Sequence, residues 1–308
     1  MEQGLVIKST GSRYRVLYGD GRIIECTIKG KFRVRGSRTT NPIAVGDRVT
    51  FEMDPSEGTG VISELQERKN YIIRKSSNLS KESQIIAANI DQVFLMVTLK
   101  HPVTPVEFID RFLVTSEAYR IKTSIIFNKT DLYEDEENDK MKLLTAVYSD
   151  IGYSCFAISL TENTNTDPLI ESMTDRISLL SGNSGVGKTT LLNYINPGLD
   201  LKTGEISEYH RQGKHITTFP EMHPLPFGGF LIDTPGIRGF GMIDMDRSEI
   251  YHFFPEIFRK SKECRFNNCL HLEEPDCAVR SAVEKGEIFW MRYRSYLNIL
   301  EDENRKYR

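Results

Sequence analysis

Gly182-Asn183-Ser184-Gly185-Val186-Gly187-Lys188-Thr189 fits the spacing G-x-x-x-x-G-K-[ST], the pattern of a phosphate-cradling loop between a strand and a helix. Its glycines let backbone N–H groups curl around an anion at the start of a helix. Lys188 is expected to reach the terminal phosphates of a nucleotide, and Thr189 to offer its hydroxyl to Mg²⁺. The flanks agree, because Arg176 to Leu180 reads as a short buried strand and Thr190 to Ile195 as the helix that follows. Residues Gly182 through Thr189, with Thr190 on the next helical position, are the candidate phosphate contacts of an α/β P-loop domain.

A phosphate loop does not choose a base. Upstream, Asn128-Lys129-Thr130-Asp131 follows the apolar, β-rich run Thr123 to Phe127, which puts it at the carboxyl end of a strand, where open α/β sheets bind ligands. The Asp131 carboxylate can accept from both N1–H and the 2-amino group of guanine, whereas adenine leaves it unpaired. Asn128 is expected at the opposite edge of the ring and the stem of Lys129 along its face. Ser159, at the end of the run Phe156-Ala157-Ile158, is a further candidate base contact. Downstream, Gly228 to Asp233 is another apolar strand ending in an acid, followed by Thr234-Pro235-Gly236. Asp233 would hold Mg²⁺ through a water, and the N–H of Gly236 would meet the γ-phosphate. Between the two lies Gly213-Lys214-His215-Ile216-Thr217-Thr218, with Thr217 the candidate second Mg²⁺ threonine. Ile237 follows Gly236 and cannot orient a water, so His215 is the candidate catalytic residue.

These are the parts of a GTPase in rotated order, and the chain resembles the circularly permuted GTPases. Motif order, the G-K-H-x-T-T stretch, Asp-Thr-Pro-Gly and a downstream cysteine cluster make it similar to the ribosome small subunit-dependent GTPase A family over nearly its whole length. One departure is Ile216, where that family usually carries the first of three threonines. The resemblance implies an N-terminal OB barrel that contacts ribosomal RNA, and a GTP-hydrolysing factor for late assembly of the small ribosomal subunit that is released on hydrolysis. Other readings are an RNA-binding GTPase with a non-ribosomal partner, an RNA-binding module with vestigial nucleotide binding, and an ATP-driven P-loop protein. No LSGGQ-like signature supports the last.

Residues 1–75 carry 14 Lys/Arg against 9 Asp/Glu although the whole chain has a net charge of −3. Most of the excess lies in Arg22, Lys29, Lys31, Arg33, Arg35, Arg38 and Arg48, opposed by Glu25 and Asp47, an electrostatic footprint suited to nucleic acid. The segment reads as short strands at Gly4 to Ser9, Tyr14 to Tyr18, Ile23 to Ile28, Asp47 to Met53 and Gly60 to Leu65, the pattern of an OB-type barrel. Tyr14, Tyr18 and Phe32 interleave with the bases, as a stacking platform for single strands requires.

Cys264, Cys269, His271 and Cys277 supply four soft ligands within 14 residues, a complete set for one structural zinc with no open position. Around them, Ser248 to Lys260 and Glu284 to Glu301 read as helices, the second presenting Trp290, Tyr293 and Leu297 for packing, with Arg292 and Arg294 alongside. The sequence thus predicts a multidomain protein: an OB-type barrel at 1–75, a linker at 76–84, a permuted GTPase domain at 85–243 and a helical zinc-binding domain at 244–308. Thr104-Pro105-Val106-Glu107 reads as a capping box, and the acidic run Glu134 to Asp139 as solvated surface. With 39% hydrophobic and 27% charged residues, no membrane-length apolar run and no signal peptide, a cytoplasmic monomer is expected. Its expected partners are GTP or GDP, the small ribosomal subunit and its rRNA.

Overall fold

The computed structural model describes residues 1–19, 21–28, 42–54, 58–75, 83–199, 201, 220–233 and 245–306. Thirteen described strands and seven α-helices are numbered below in chain order. Strands β1 (Glu2–Ser9), β2 (Tyr14–Tyr18), β3 (Arg22–Ile28), β4 (Arg48–Asp54) and β5 (Thr59–Leu65) close a barrel, because the first half of β1 pairs with β4 while the remainder run β1-β2-β3-β5-β4. Period-two burial fills its interior with Val6, Tyr14, Val16, Cys26, Phe51 and Ile62. Tyr14 is therefore a core residue, wholly buried with its hydroxyl on Gly11 O, and cannot stack on a base as the sequence suggested. Tyr18 remains half-exposed with the Arg22 guanidinium over its ring. Lys29, Lys31, Phe32, Arg33, Arg35 and Arg38 lie outside the described residues.

Strands β6 (Tyr71–Lys75) and β7 (Ser83–Ala88) pair antiparallel, so Ser83 and Gln84, expected in a linker, belong to a strand. The nucleotide-side sheet runs β10-β9-β8-β11-β13, all parallel, from β8 (Gln92–Val97), β9 (Lys122–Phe127), β10 (Ser154–Ala157), β11 (Ile177–Gly182) and β13 (Phe230–Asp233). Its central strands are fully buried apolar runs, the signature of a sheet covered on both faces. Strand β12 (Glu221–Pro224) lies antiparallel between β13 and β1, and the Lys8–Glu221 rung joins sheet to barrel.

Helices α1 (Val106–Ala118), α2 (Asp135–Ile151), α3 (Asp167–Met173) and α4 (Lys188–Ile195) cover this sheet. One start differs from expectation, and another adds to a surface run that is largely exposed, as expected. The Thr104 hydroxyl accepts from Thr98 N–H, so the α1 terminus lacks its capping box and Pro105 sits at the N-cap. The acidic run is a helix start: Glu134 and Glu137 form a reciprocal capping box on α2, with Asp135 and Glu136 favourably placed at its positive end.

The C-terminal region contains α5 (Pro255–Ser261), α6 (Ala278–Glu284) and α7 (Trp290–Lys306). The first expected helix is shorter and the second starts later, each because a residue breaks the expected run, and the second runs on to Lys306. Pro255 holds Phe254 extended, leaving a separate 3₁₀ turn at Ile250–Phe253, and Gly286 at φ 74° ends α6. Trp290 is exposed, whereas Arg292 is wholly buried. Arg292 Nη1 donates to Asp110 Oδ1 at 2.5 Å and Nε to Glu256 Oε1 at 2.7 Å. Burial pulls its pKa down, but Glu256 and Asp110 carry it well above the ordinary value. Asp110 also accepts from Tyr148 and Ser295, so α1, α2, α5 and α7 meet at one ion cluster.

Removing one partner from a buried ion pair strands the others without compensation. Arg292→Ala should cost about 3–5 kcal/mol in urea unfolding, whereas Arg294→Ala, which removes the exposed Arg294–Glu107 pair, should cost under about 1 kcal/mol.

Candidate nucleotide site and metal centre

Strand β11 delivers Gly182 and helix α4 begins at Lys188, so the loop between them lies at the carboxyl end of the parallel sheet. Gly187 has φ 108°, and a Cβ there would fall 2.3 Å from Asn128 Nδ2. Gly182 has φ 147°, and a Cβ there would fall 2.3 Å from Met96 O. Only glycine permits both approaches. Lys188 Nζ donates to the carbonyls of Gly182 and Asn183, each at 2.8 Å. Burial lowers the Lys188 pKa and Asp233 opposes that shift. Asp233 ends β13 in register with Leu180 of β11, which brings the acid to the same sheet end as the loop. Thr189 is half-buried and Thr190 exposed on the first turn of α4.

Asn128 closes β9, its N–H donating to Val97 O at 2.9 Å. Its side chain was expected at the far edge of a base. It is 2% exposed, and its Nδ2 donates to Val186 O at 2.8 Å, fastening the base motif to the phosphate loop. Lys129 adopts φ 64°, and its Nζ donates to His101 O at 2.6 Å. Thr130 N–H donates to Ile158 O, and the Ser159 hydroxyl donates to Asp131 Oδ1 at 2.6 Å. Ser159 is fully buried, while Asp131 is exposed. The fold therefore brings Asn128, Asp131, Ser159 and the phosphate loop together. His215, Thr217 and Gly236 lie outside the described residues.

The four metal-ligand candidates converge as their spacing implied, with ligand atoms within 4.8 Å of one another. His271 Nδ1 is 3.6 Å from both Cys264 Sγ and Cys277 Sγ, and those two sulfurs are 4.0 Å apart. A tetrahedral ion with ordinary Zn–N and Zn–S bonds requires edges of about 3.6 Å (N to S) and about 3.8 Å (S to S), so the residues fit such a centre. Burial drives the His271 pKa down to about 4, leaving the ring neutral with a lone pair to give. The same burial pushes Cys269 up to about 12, so without a cation its thiol keeps its proton. Neighbours that the sequence did not reveal hold the loop. Glu274 accepts from Leu270 N–H and Leu272 N–H, while Tyr293 and Tyr296 of α7 donate to the carbonyls of His271 and Leu270.

A permuted P-loop fold with a guanine-type motif and a Cys₃His metal region defines a circularly permuted GTPase. The chain belongs to the RsgA GTPase family: the model described as RsgA GTPase matches residues 65–243, and that of the RsgA N-terminal domain matches 3–62. Proteins of Christiangramia forsetii and Phocaeicola vulgatus, both named small ribosomal subunit biogenesis GTPase RsgA, are 54% and 56% identical. The first match covers 99% of this chain and 98% of the relative, the second 99% of each. Among solved structures, YjeQ from Thermotoga maritima matches with a TM-score of 0.81 at 34% identity over 98% of each chain. YloQ, described as a circularly permuted GTPase, matches at 0.77 and 31% identity over 99% of this chain and 96% of that one.

The Ser159 hydroxyl takes one oxygen of Asp131, which bears on an amide placed there. In Asp131→Asn the side-chain oxygen would keep Ser159 and present its NH₂ toward the base, where it suits the 2-oxygen of xanthine. The variant should lose about 2–4 kcal/mol of GTP affinity and gain xanthosine triphosphate binding, measured by titration with both nucleotides.

Proposed function

We propose that this protein is a GTP-hydrolysing assembly factor that acts late in maturation of the small ribosomal subunit, binds its rRNA and leaves on hydrolysis. The observation that carries the reading is the Asn128–Val186 hydrogen bond, which makes base motif and phosphate loop one site despite their rotated order. The names of the full-length relatives supply the ribosomal context. Cosedimentation with small subunits in a non-hydrolysable GTP analogue tests it; absence from that fraction would transfer the GTPase to another partner.

In this reading Gly182 through Thr190 hold the phosphates, with Lys188 neutralising the terminal ones. Asn128, Lys129, Thr130, Asp131 and Ser159 form the guanine side, Asn128 by tying it to the loop. Thr189, Asp233 and Thr217 would hold Mg²⁺, and the donor chemistry fits: two hydroxyls and a carboxylate are hard oxygen ligands. The ion, when bound, neutralises charge on the phosphates. Gly236 would sense the γ-phosphate, and the short passage from it into the C-terminal region would convert hydrolysis into a changed grip on RNA. Half-exposed Tyr18, with Arg22 above it, belongs to the barrel's RNA face. We propose domain limits of 1–75 and 244–308 for the barrel and the C-terminal region, with the GTPase domain running to 243 and its start moved from 85 to 83, where β7 begins. Among the described residues no helix is long and apolar enough to cross a membrane, and we assign the protein to the cytoplasm as a monomer.

Three thiolates and an imidazole with tetrahedral edges favour zinc over harder ions. Protein prepared without chelator should contain about one zinc per chain, and Cys269→Ser should lower zinc content while GTP affinity stays within about threefold of wild type. Metal analysis finding none would remove zinc from the reading.

His215 is assigned to orienting the attacking water, since Ile237 offers no hydrogen-bonding group. Free protein should hydrolyse GTP slowly and small subunits should accelerate it. His215→Ala should keep nucleotide binding and subunit association yet lose about tenfold or more of the stimulated turnover. Wild-type stimulation in that variant would leave the water-orienting group to be found elsewhere.

A further inference from the structure

Beyond the last rung between β8 and β9, the two strands fork. Leu99 turns into the loop 98–104, while Asn128 opens the base motif. Two backbone groups remain at the fork, Leu99 N–H and Asn128 C=O. The Tyr133 hydroxyl accepts from the first at 3.0 Å and donates to the second at 2.8 Å. A side chain thus supplies the next rung of the ladder. Its ring is 8% exposed and packs in the core under the sheet, and its own N–H donates to Thr130 O, closing the turn that carries Asp131.

The other branch of the fork is tied just as firmly. Thr98 bonds to Thr104 and Pro102 within the loop, and Lys100 pairs with Glu134 at 2.5 Å. The loop then presents His101 O to Lys129 Nζ. The straps from His101, Leu99 and Lys100 reach Lys129, Tyr133 and Glu134, and Tyr133 is the one that reaches into the fork itself.

We propose that Tyr133 is a positioning residue for guanine selection: its hydroxyl fixes the separation of the base motif from the loop 98–104 and thereby the aim of Asp131. The proposal rests on the reading of Asn128 to Asp131 as the guanine site. Inosine triphosphate lacks the 2-amino group, so the ratio of GTP to ITP affinity reports how well Asp131 meets that group. A residue that merely adds stability would weaken both nucleotides by the same factor.

Tyr133→Phe removes one oxygen and keeps the ring. GTP and GDP affinity should fall about tenfold, the preference for GTP over ITP should fall about threefold or more, and kcat at saturating GTP should stay within about twofold. Tyr148→Phe is the matched control, since it also removes one buried hydroxyl, from Asp110, but touches neither branch of the fork. It should leave the GTP to ITP ratio unchanged even where it lowers the melting temperature. An unchanged ratio in Tyr133→Phe, or an equal loss for both nucleotides, would overturn the proposal. A wild-type protein that does not itself prefer GTP to ITP would sink the guanine reading rather than the role of Tyr133.

Discussion

A guanidinium shut away from water must have anions beside it, and Arg292 takes them from distant parts of the chain: Asp110 of α1 and Glu256 of α5. The rest of the arrangement follows from that constraint. Helix α1 serves two cores, with Ile109, Phe112 and Leu113 facing the sheet and Val114 packing with the C-terminal cluster. The loop that precedes α1 holds Lys129 through His101 O, and Pro102 lies beside Gly185 of the phosphate loop. Nucleotide site and metal region are therefore connected through α1 as well as along the chain. A motion of the C-terminal region that left α1 behind would have to separate a buried ion cluster.

The metal region adds a second requirement of the same electrostatic kind. Burial holds the Cys269 thiol and the His271 ring in their neutral forms, so the Cys269 thiolate forms only together with a cation. Tyr293 and Tyr296 connect the loop to the helix that also carries Arg292. Loss of the ion would consequently loosen the platform on which the buried arginine is held, before any effect reached the phosphate loop.

What could be read from the sequence was local. The phosphate loop, Asn128 to Asp131 and the Cys/His set each place chemically distinctive residues at short spacing, and the structure brings each set together. Strand periodicity likewise gave the barrel. The unread features depend on partners far away in the chain. Arg292 was placed beside a packing face with no partner named, because its carboxylates are 182 and 36 residues distant. Tyr14 was read as a stacking aromatic, although alternation with Arg13 and Arg15 on a strand equally marks the inward face. Thr104 matched a capping box, yet its hydroxyl meets Thr98 instead. The bond from Asn128 to the Val186 carbonyl went unread because residue type alone does not disclose a partner 58 residues away.

Strand β1 has a divided allegiance that bears on the order of synthesis. Its first half closes the barrel on β4, but at Lys8 it turns to β12, whose Glu221 is made 213 residues later. As the chain leaves the ribosome, the barrel can close early, while the end of β1 waits with backbone groups unpaired. In the parallel sheet β8 waits likewise for β11, and β11 for β13. Such late, long-range closures are slow and leave sheet edges open to wrong partners. A lysine on a waiting edge discourages another strand from adding there, because a charged side chain resists burial against a neighbour. Lys8 would then serve twice in the life of the molecule, first as a guard on the unfinished edge and afterwards as the partner of Glu221.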